Sequence, residues 1–166
     1  MKKKKLMIKF YTKKGDKGTT SLYDGSIVSK TEDIFNLLGK LDSTGANIGM
    51  LVALITDTEF DYLIEELRDV QRKLIIISSI LATPDPNIRE KMAKISETDV
   101  TELEYAIDRL QHSSSPLTKF VLQGITKADS QCHIVRCQVR EVERNFIKNV
   151  YKDTSISKYL NRLSDY

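Results

Sequence analysis

From about Thr31 onward, apolar residues recur at intervals of three, four and seven, the period of one face of an α-helix. Ile34, Leu38, Leu41, Ile48, Val52 and Ile55 mark a first helix. Gly45 falls on the same stripe, which predicts a close approach by another helix. A second helix is predicted from about Thr58 to Leu81, with Phe60, Leu63, Ile64, Leu67, Val70, Leu74, Ile77 and Leu81 on its stripe. Pro84 and Pro86 end it, and a polar connection is expected over residues 83–97. A third helix starts near Thr98, carries Val100, Leu103, Ile107 and Leu110, and stops at the run from Ser113 to Pro116. Residues 117–126 read as extended or irregular. A fourth helix covers about Lys127 to Val150, and a fifth begins near Ser155 and is still running at Tyr166. Four or five antiparallel helices with short connections predict a helical bundle. Ahead of them, residues 6–29 have no helical period. They hold Gly15, Gly18 and Gly25 among Thr12, Thr19, Thr20 and Ser21, which predicts a structured loop or short hairpin. A single domain is expected over residues 1–166, with 1–29 as the loop and 30–166 as the bundle.

Composition narrows the class. The 166 residues are 40% hydrophobic and 30% charged, which suits one globular domain and excludes collagen-like and largely disordered chains. No apolar run approaches the roughly 18 residues of a membrane span, so no membrane partner is expected. Cys132 and Cys137 make no disulfide framework, and a reducing, cytoplasmic location is expected. The formal charge of +3 is unevenly spread. Residues 1–17 carry eight Lys against one Asp, while the remaining 149 residues carry 18 basic against 22 acidic side chains. A nucleic-acid reader needs a basic face on its folded part, so no nucleic-acid partner is expected. The lysines of Met1 to Lys5 read as a solvated end.

Two segments carry candidate chemistry. The first runs from Thr12 to Thr20. Its glycines let backbone N–H groups turn toward an anion, and its hydroxyls and lysines add donors and charge. It is not a Walker A loop, and its residues alone allow either a turn-rich loop or a phosphate cradle. The second is the fourth helix. At about 100° per residue from Arg136, Ala128, Val135, Val139, Val142, Phe146 and Val150 lie between about −40° and −120° and form the buried stripe. His133, Arg140, Glu143 and Arg144 lie between about −20° and 80°. With Arg136 they form a polar stripe at the edge of the core. Guanidiniums there can grip a triphosphate or carboxylate, or can form a salt-bridged surface. Asp42 is placed at a core edge of its own helix and needs a partner; Arg136 is a candidate, within the chain or across a subunit contact. Cys132 and Cys137 are about 140° apart on the helix, too far to share a metal with His133. Tyr11 and Tyr23 are expected to pack on the bundle. Phe120 reads as a core plug or as an apolar wall over a ligand.

Four segments together resemble the PduO-type ATP:cob(I)alamin adenosyltransferases and span nearly the whole chain. Tyr11 to Gly25 is close to that family's ATP loop. Leu38-Gly-Lys-Leu-Asp42, followed by Ile48 and Gly49, resembles its G-x-x-D-E-L-N…IG helix. His133, Arg136, Arg140, Glu143 and Arg144 fit its H-x-A-R-x-x-x-R-R-x-E-R helix, and Tyr159 to Asp165 its Y-L-N-R-L-S-D segment. The resemblance implies an all-α, five-helix bundle with an irregular N-terminal ATP-binding loop. It implies a homotrimer with ATP at the subunit interfaces and Mg2+ on the phosphates rather than on protein side chains. The implied reaction is attack of cob(I)alamin on the 5′ carbon of ATP, giving adenosylcobalamin and triphosphate. By position, the ATP-contacting residues would be Thr12, Lys13, Lys14, Gly15, Thr19, Thr20, Lys30, Arg140, Glu143, Arg144 and Asn161. Asp42 and Arg136 match an intersubunit ion pair, and Phe120 matches the aromatic that closes the lower face of the corrin. The catalytic set implied is Arg140, Phe120, Asp42 and Arg136.

The chain departs from that pattern locally. The family's F-x-L-P-G-G reads Phe120-Val-Leu-Gln-Gly-Ile125, its second arginine is Glu141, and its D-E-L-N reads Asp42-Ser-Thr-Gly45. An Ala pair early in the arginine helix is Asp129-Ser130. These changes keep a second reading open, an ATP- or cobalamin-binding module without catalysis.

Overall fold

The computed structural model describes residue 11 and residues 13–56, 58–114, 119, 121–150 and 154–166. Two antiparallel strands come first, β1 (Thr19–Ser21) and β2 (Ile27–Ser29), with Thr20 opposite Val28. Helices α1 (Asp33–Leu54), α2 (Asp61–Leu81), α3 (Pro86–Glu90), α4 (Glu97–Ser113), α5 (Lys127–Val150) and α6 (Thr154–Leu163) follow, with a 3-10 turn at Thr58–Phe60. The five long helices are the expected bundle.

The short α3 lies inside the expected polar connection. Pro86 does end the preceding pattern, but it also opens a new helix. It occupies the first turn, where its missing N–H costs nothing, and Asp85 caps that turn by accepting from Asn87 N at 2.8 Å. Helix α4 begins on a capping box. Ser96 Oγ accepts from Asp99 N at 3.2 Å, and the Asp99 carboxylate accepts from Ser96 N at 2.6 Å.

Helix α1 is central, with α2 on one side and α5 on the other; α6 lies against both α5 and α4. Side-chain ion pairs bring α4 back to α2: Lys73 pairs with Asp99, and Arg109 with Glu66 at 2.7 Å. The core holds Leu37, Leu41, Ile48, Leu74, Ile77, Val139, Val142, Phe146, Ile156 and Leu160. Each such side chain contributes on the order of 1.5–3 kcal/mol.

On α1 the buried face is rotated from the expected stripe. Leu37 and Thr44 are fully buried, whereas Leu38 sits at the edge. Thr44 can occupy the core because its hydroxyl donates to Lys40 O at 2.8 Å. Gly45 is not a close-approach point: a Cβ there would meet nothing within 4 Å. The tight position is Gly49, where a Cβ would come within 3.3 Å of Gln71 Nε2. Tyr11 and Tyr23 are not packed into the bundle, being 67% and 72% exposed; Tyr23 only borders the groove between α1 and α2.

Candidate functional site

The N-terminal segment folds on itself before it reaches the bundle. Gly18 N donates to Gly15 O at 3.3 Å, and Asp16 N to Lys13 O at 3.4 Å, closing two tight turns. Lys13 and Gly18 adopt φ of 59° and 78°, and at Gly18 only a residue without Cβ does so freely. Lys30 closes the loop from the far strand. Its backbone N–H donates to Gly18 O at 2.9 Å, and its Nζ to Gly15 O at 2.8 Å. A Cβ on Gly15 would lie 2.8 Å from that Nζ, so Gly15 is what lets the ammonium reach the loop. Tyr23 N donates to Ala82 O at 3.0 Å and moors the hairpin to the end of α2. Lys13, Lys14, Gly15, Thr19, Thr20 and Lys30 thus share one small hairpin, a basic loop with turned backbone. Thr12 lies outside the described residues.

The second group sits on the seam between α5 and α6. Asn161 Nδ2 donates to Glu143 Oε1 at 2.8 Å, and Arg162 Nη1 to Asn161 Oδ1 at 2.6 Å. Arg140 Nη1 reaches the buried Ser164 Oγ at 3.5 Å. Arg140 and Arg144 are exposed, and among the described residues Arg144 makes no hydrogen bond. Two guanidiniums beside a satisfied Glu143–Asn161 pair can meet a polyanion without first breaking a strong internal bond. The hydrogen bonds of Lys30 stay within the hairpin, while those of Glu143 and Asn161 stay within the seam.

Asp42 and Arg136 do not pair within the chain. Asp42 is exposed and lines a largely apolar groove of about 660 Å³ between α1 and α2, with Tyr23, Leu38, Ile75 and Met92. Arg136 sits on α5, where its Nε donates to His133 Nδ1 at 3.4 Å. The residue after Arg140 is turned the other way. Glu141 pairs with Lys40 on α1, and that ammonium holds its carboxyl below the usual carboxylate range. Glu141 is therefore a clasp between α1 and α5 rather than part of the arginine face. Phe120 lies outside the described residues. Just after it, Asp129 accepts from Gly124 N at 2.8 Å and from Ile125 N at 3.0 Å. Those two donors, with His133 beside the carboxyl, hold it below its ordinary value. Nearby, Leu51, Leu54, Phe60, Ala128 and Cys132 line an apolar cavity of about 850 Å³ at one end of the bundle.

Sequence reading did not find the Lys40–Glu141 clasp, which joins positions far apart in the chain, nor the role of Asp129. The spacing Thr126-x-x-Asp129 was a usable signal, since Ser/Thr followed three residues later by a carboxylate marks a helix start.

The model of the cobalamin adenosyltransferase family matches residues 10–166. The chain belongs to this family. It is 37% identical over 164 residues to the bovine corrinoid adenosyltransferase MMAB, covering 95% of this chain and 68% of that protein. It is 34% identical over 163 residues to the Bacillus subtilis corrinoid adenosyltransferase, covering 96% of this chain and 82% of that one. A variant PduO-type ATP:corrinoid adenosyltransferase from Lactobacillus reuteri, solved with cobalamin and ATP, superimposes with a TM-score of 0.86. That match has 29% identity and covers 95% of this chain and 86% of the other. Among the described residues, no helix is long and apolar enough to cross a membrane.

Proposed function

We propose that this chain transfers the 5′-deoxyadenosyl group of ATP to cob(I)alamin. The carrying observation is the open α5–α6 seam, where Arg140 and Arg144 stand exposed beside Glu143 and Asn161. In the reaction, the electron pair on cobalt forms a Co–C5′ bond. The C5′–O bond breaks and its pair leaves with triphosphate. No proton has to move at the reacting carbon, so no general base is required. The protein's work is to hold ATP with C5′ facing cobalt and to neutralise charge on the departing triphosphate. Lys13, Lys14, Lys30, Arg140 and Arg144 serve the second task. Thr12, Thr19, Thr20 and the amides around Gly15 add hydrogen bonds to the phosphates. Glu143 and Asn161 hold the nucleoside end. Among the described residues no group of three His, Cys, Asp or Glu side chains fits a metal ion. Mg2+ bound to the phosphate oxygens would add charge neutralisation.

The hairpin and the arginine seam act together across copies of the chain. The exposed Tyr11, Tyr23 and Ile27 and the apolar groove around Asp42 form the face that a neighbouring copy covers. Asp42 of one copy pairs there with Arg136 of the next, in a homotrimer with ATP between subunits. Phe120 and the apolar cavity bordered by Asp129 take the corrin and keep a lower axial ligand away from cobalt. The enzyme acts as one adenosyltransferase domain in the cytoplasm.

The test is a spectrophotometric adenosylation assay with MgATP and chemically reduced cobalamin. Turnover is expected. Chains carrying Lys30→Ala and chains carrying Arg140→Ala should each be weak, and co-assembly of the two should restore activity, because some interfaces then hold two intact halves. No turnover in any arm contradicts the function. Turnover without restoration contradicts the shared interface.

A further inference from the structure

Residues 121–126, which follow Phe120 directly, form no helix or strand. Leu122 and Ile125 are 91% and 80% exposed, so packing does not hold this segment. It also lacks the proline and the second glycine of the motif it resembles. Among the described residues, one side chain holds the backbone amides at its centre. Asp129 Oδ2 accepts from the consecutive amides of Gly124 and Ile125, at 2.8 and 3.0 Å. Gly124 has φ of 102°, a backbone setting that L side chains rarely adopt. Asp129 is itself fixed on the first turn of α5, where its N–H donates to Thr126 Oγ1 at 3.0 Å. The neighbouring Ser130 Oγ donates to Thr126 O at 2.8 Å.

The other carboxylate oxygen continues the chain of contacts. Asp129 Oδ1 lies 3.3 Å from His133 Nε2, and His133 Nδ1 accepts from Arg136 Nε at 3.4 Å. Positions 129, 133 and 136 are neighbours on one helical face, so the link needs no rearrangement. Thr126 and Asp129 also border the apolar cavity of about 850 Å³.

We infer that Asp129 is a positioning residue: its carboxylate clamps residues 121–126 onto α5 and, through His133, ties that segment to Arg136. Resting on the proposed function, the clamp sets the wall against which the corrin lies, and leaves the ATP hairpin untouched.

The test compares the unsubstituted protein with Asp129→Ala and Asp129→Asn. The first readout is hydrogen exchange at the Gly124 and Ile125 amides without ligand. Both should be protected in the unsubstituted protein, exchange fast in Asp129→Ala, and stay partly protected in Asp129→Asn, whose amide carbonyl still accepts. The second readout is kinetic. Asp129→Ala should raise the KM for cob(I)alamin on the order of tenfold, below the hundredfold that an ångström of misplacement can cost, with the KM for ATP unchanged. Asp129→Asn should recover part of that loss. Unchanged amide exchange in Asp129→Ala overturns the clamp. Equal rises in both KM values overturn its corrin-side role, since a general loosening would act on both. If the unsubstituted protein turns nothing over, the proposed function fails, and amide exchange alone decides the clamp.

Discussion

The bundle and the N-terminal hairpin are built on opposite principles. The bundle is held by burial: Phe146, Leu37, Ile77 and Leu160 are fully enclosed, and rim charges such as Lys73 with Asp99 and Arg109 with Glu66 are paired. The hairpin has a three-residue ladder, exposed tyrosines and a loop whose closing contacts are a lysine on a carbonyl and two turn amides. Stability is therefore concentrated in the bundle's interior, and candidate ligand-facing polarity in the hairpin and along the α5–α6 seam. Substitutions should separate cleanly, with those in the bundle moving the melting temperature and those in the hairpin and seam moving turnover.

The largest break is expected at Phe146. Phe146→Ala removes a fully buried ring from the C-terminal part of α5 and should cost about 3–5 kcal/mol of stability, measured by denaturant unfolding. A cost near zero would mean that the helices do not share this core. Next comes Arg140→Ala, which leaves packing alone because the guanidinium is exposed. Loss of one group that stabilises developing charge should lower kcat about a hundredfold or more, with the melting temperature unchanged. A shared fall in stability and rate would place Arg140 in the structure rather than the chemistry.

A smaller effect is expected at Gly15. The Cβ of Gly15→Ala would meet Lys30 Nζ, the far end of a flexible side chain, and come within 3.3 Å of Thr19 O, so the ammonium moves, the loop gives by a few tenths of an ångström and the bundle stays. The KM for ATP should rise while melting is unaffected. An unchanged KM would remove the Lys30–Gly15 contact from the ATP site.

The bundle's rim also sharpens the contrast through pH. Burial pushes the Asp99 carboxyl upward, but Lys73 and the Ser96 donors outweigh it and leave the carboxyl below its usual 3.8. Its contribution is complete above that value and is lost as pH falls through the lower folded pKa. Lys73 is raised above 10.5, chiefly by its bond to Asp99, so its contribution is complete below 10.5 and lost as pH rises through the folded pKa. Melting temperature should be level across neutral pH and fall at both extremes, and Lys73→Met should flatten the alkaline arm. An unchanged alkaline arm in that variant would assign the loss to other groups. The smallest effect belongs to the part-exposed Lys40–Glu141 clasp. Glu141→Gln should lower the melting temperature only slightly and leave turnover intact.

The sequence carried the helical bundle and its α5 face well, because Val135, Val139, Val142 and Phe146 offer a single clean stripe. On α1 it misled by one position. Leu37 and Leu38 are adjacent and equally apolar, and the true stripe passes through Thr44, whose polarity is cancelled only by a bond to Lys40 O. The hairpin was legible as glycines and threonines but not as a ladder, since three paired residues leave almost no periodic signal. Within the candidate site, Arg140 and Glu143 were reachable from helical spacing, and Asn161 from the resemblance alone. The Lys40–Glu141 clasp was not, because nothing local links one helix to a residue on another. Asp129 lay between these cases: its capping spacing was visible, while its bonds to Gly124 and Ile125 depend on a backbone setting that only the folded loop reveals.

The most direct measurement counts products. The protein is mixed with MgATP and chemically reduced cobalamin, and adenosylcobalamin and inorganic triphosphate are quantified together. Equal amounts of the two, both abolished with ATP omitted, are expected from displacement at C5′. Absence of adenosylcobalamin, or release of phosphate or diphosphate without it, would contradict adenosyl transfer by this chain.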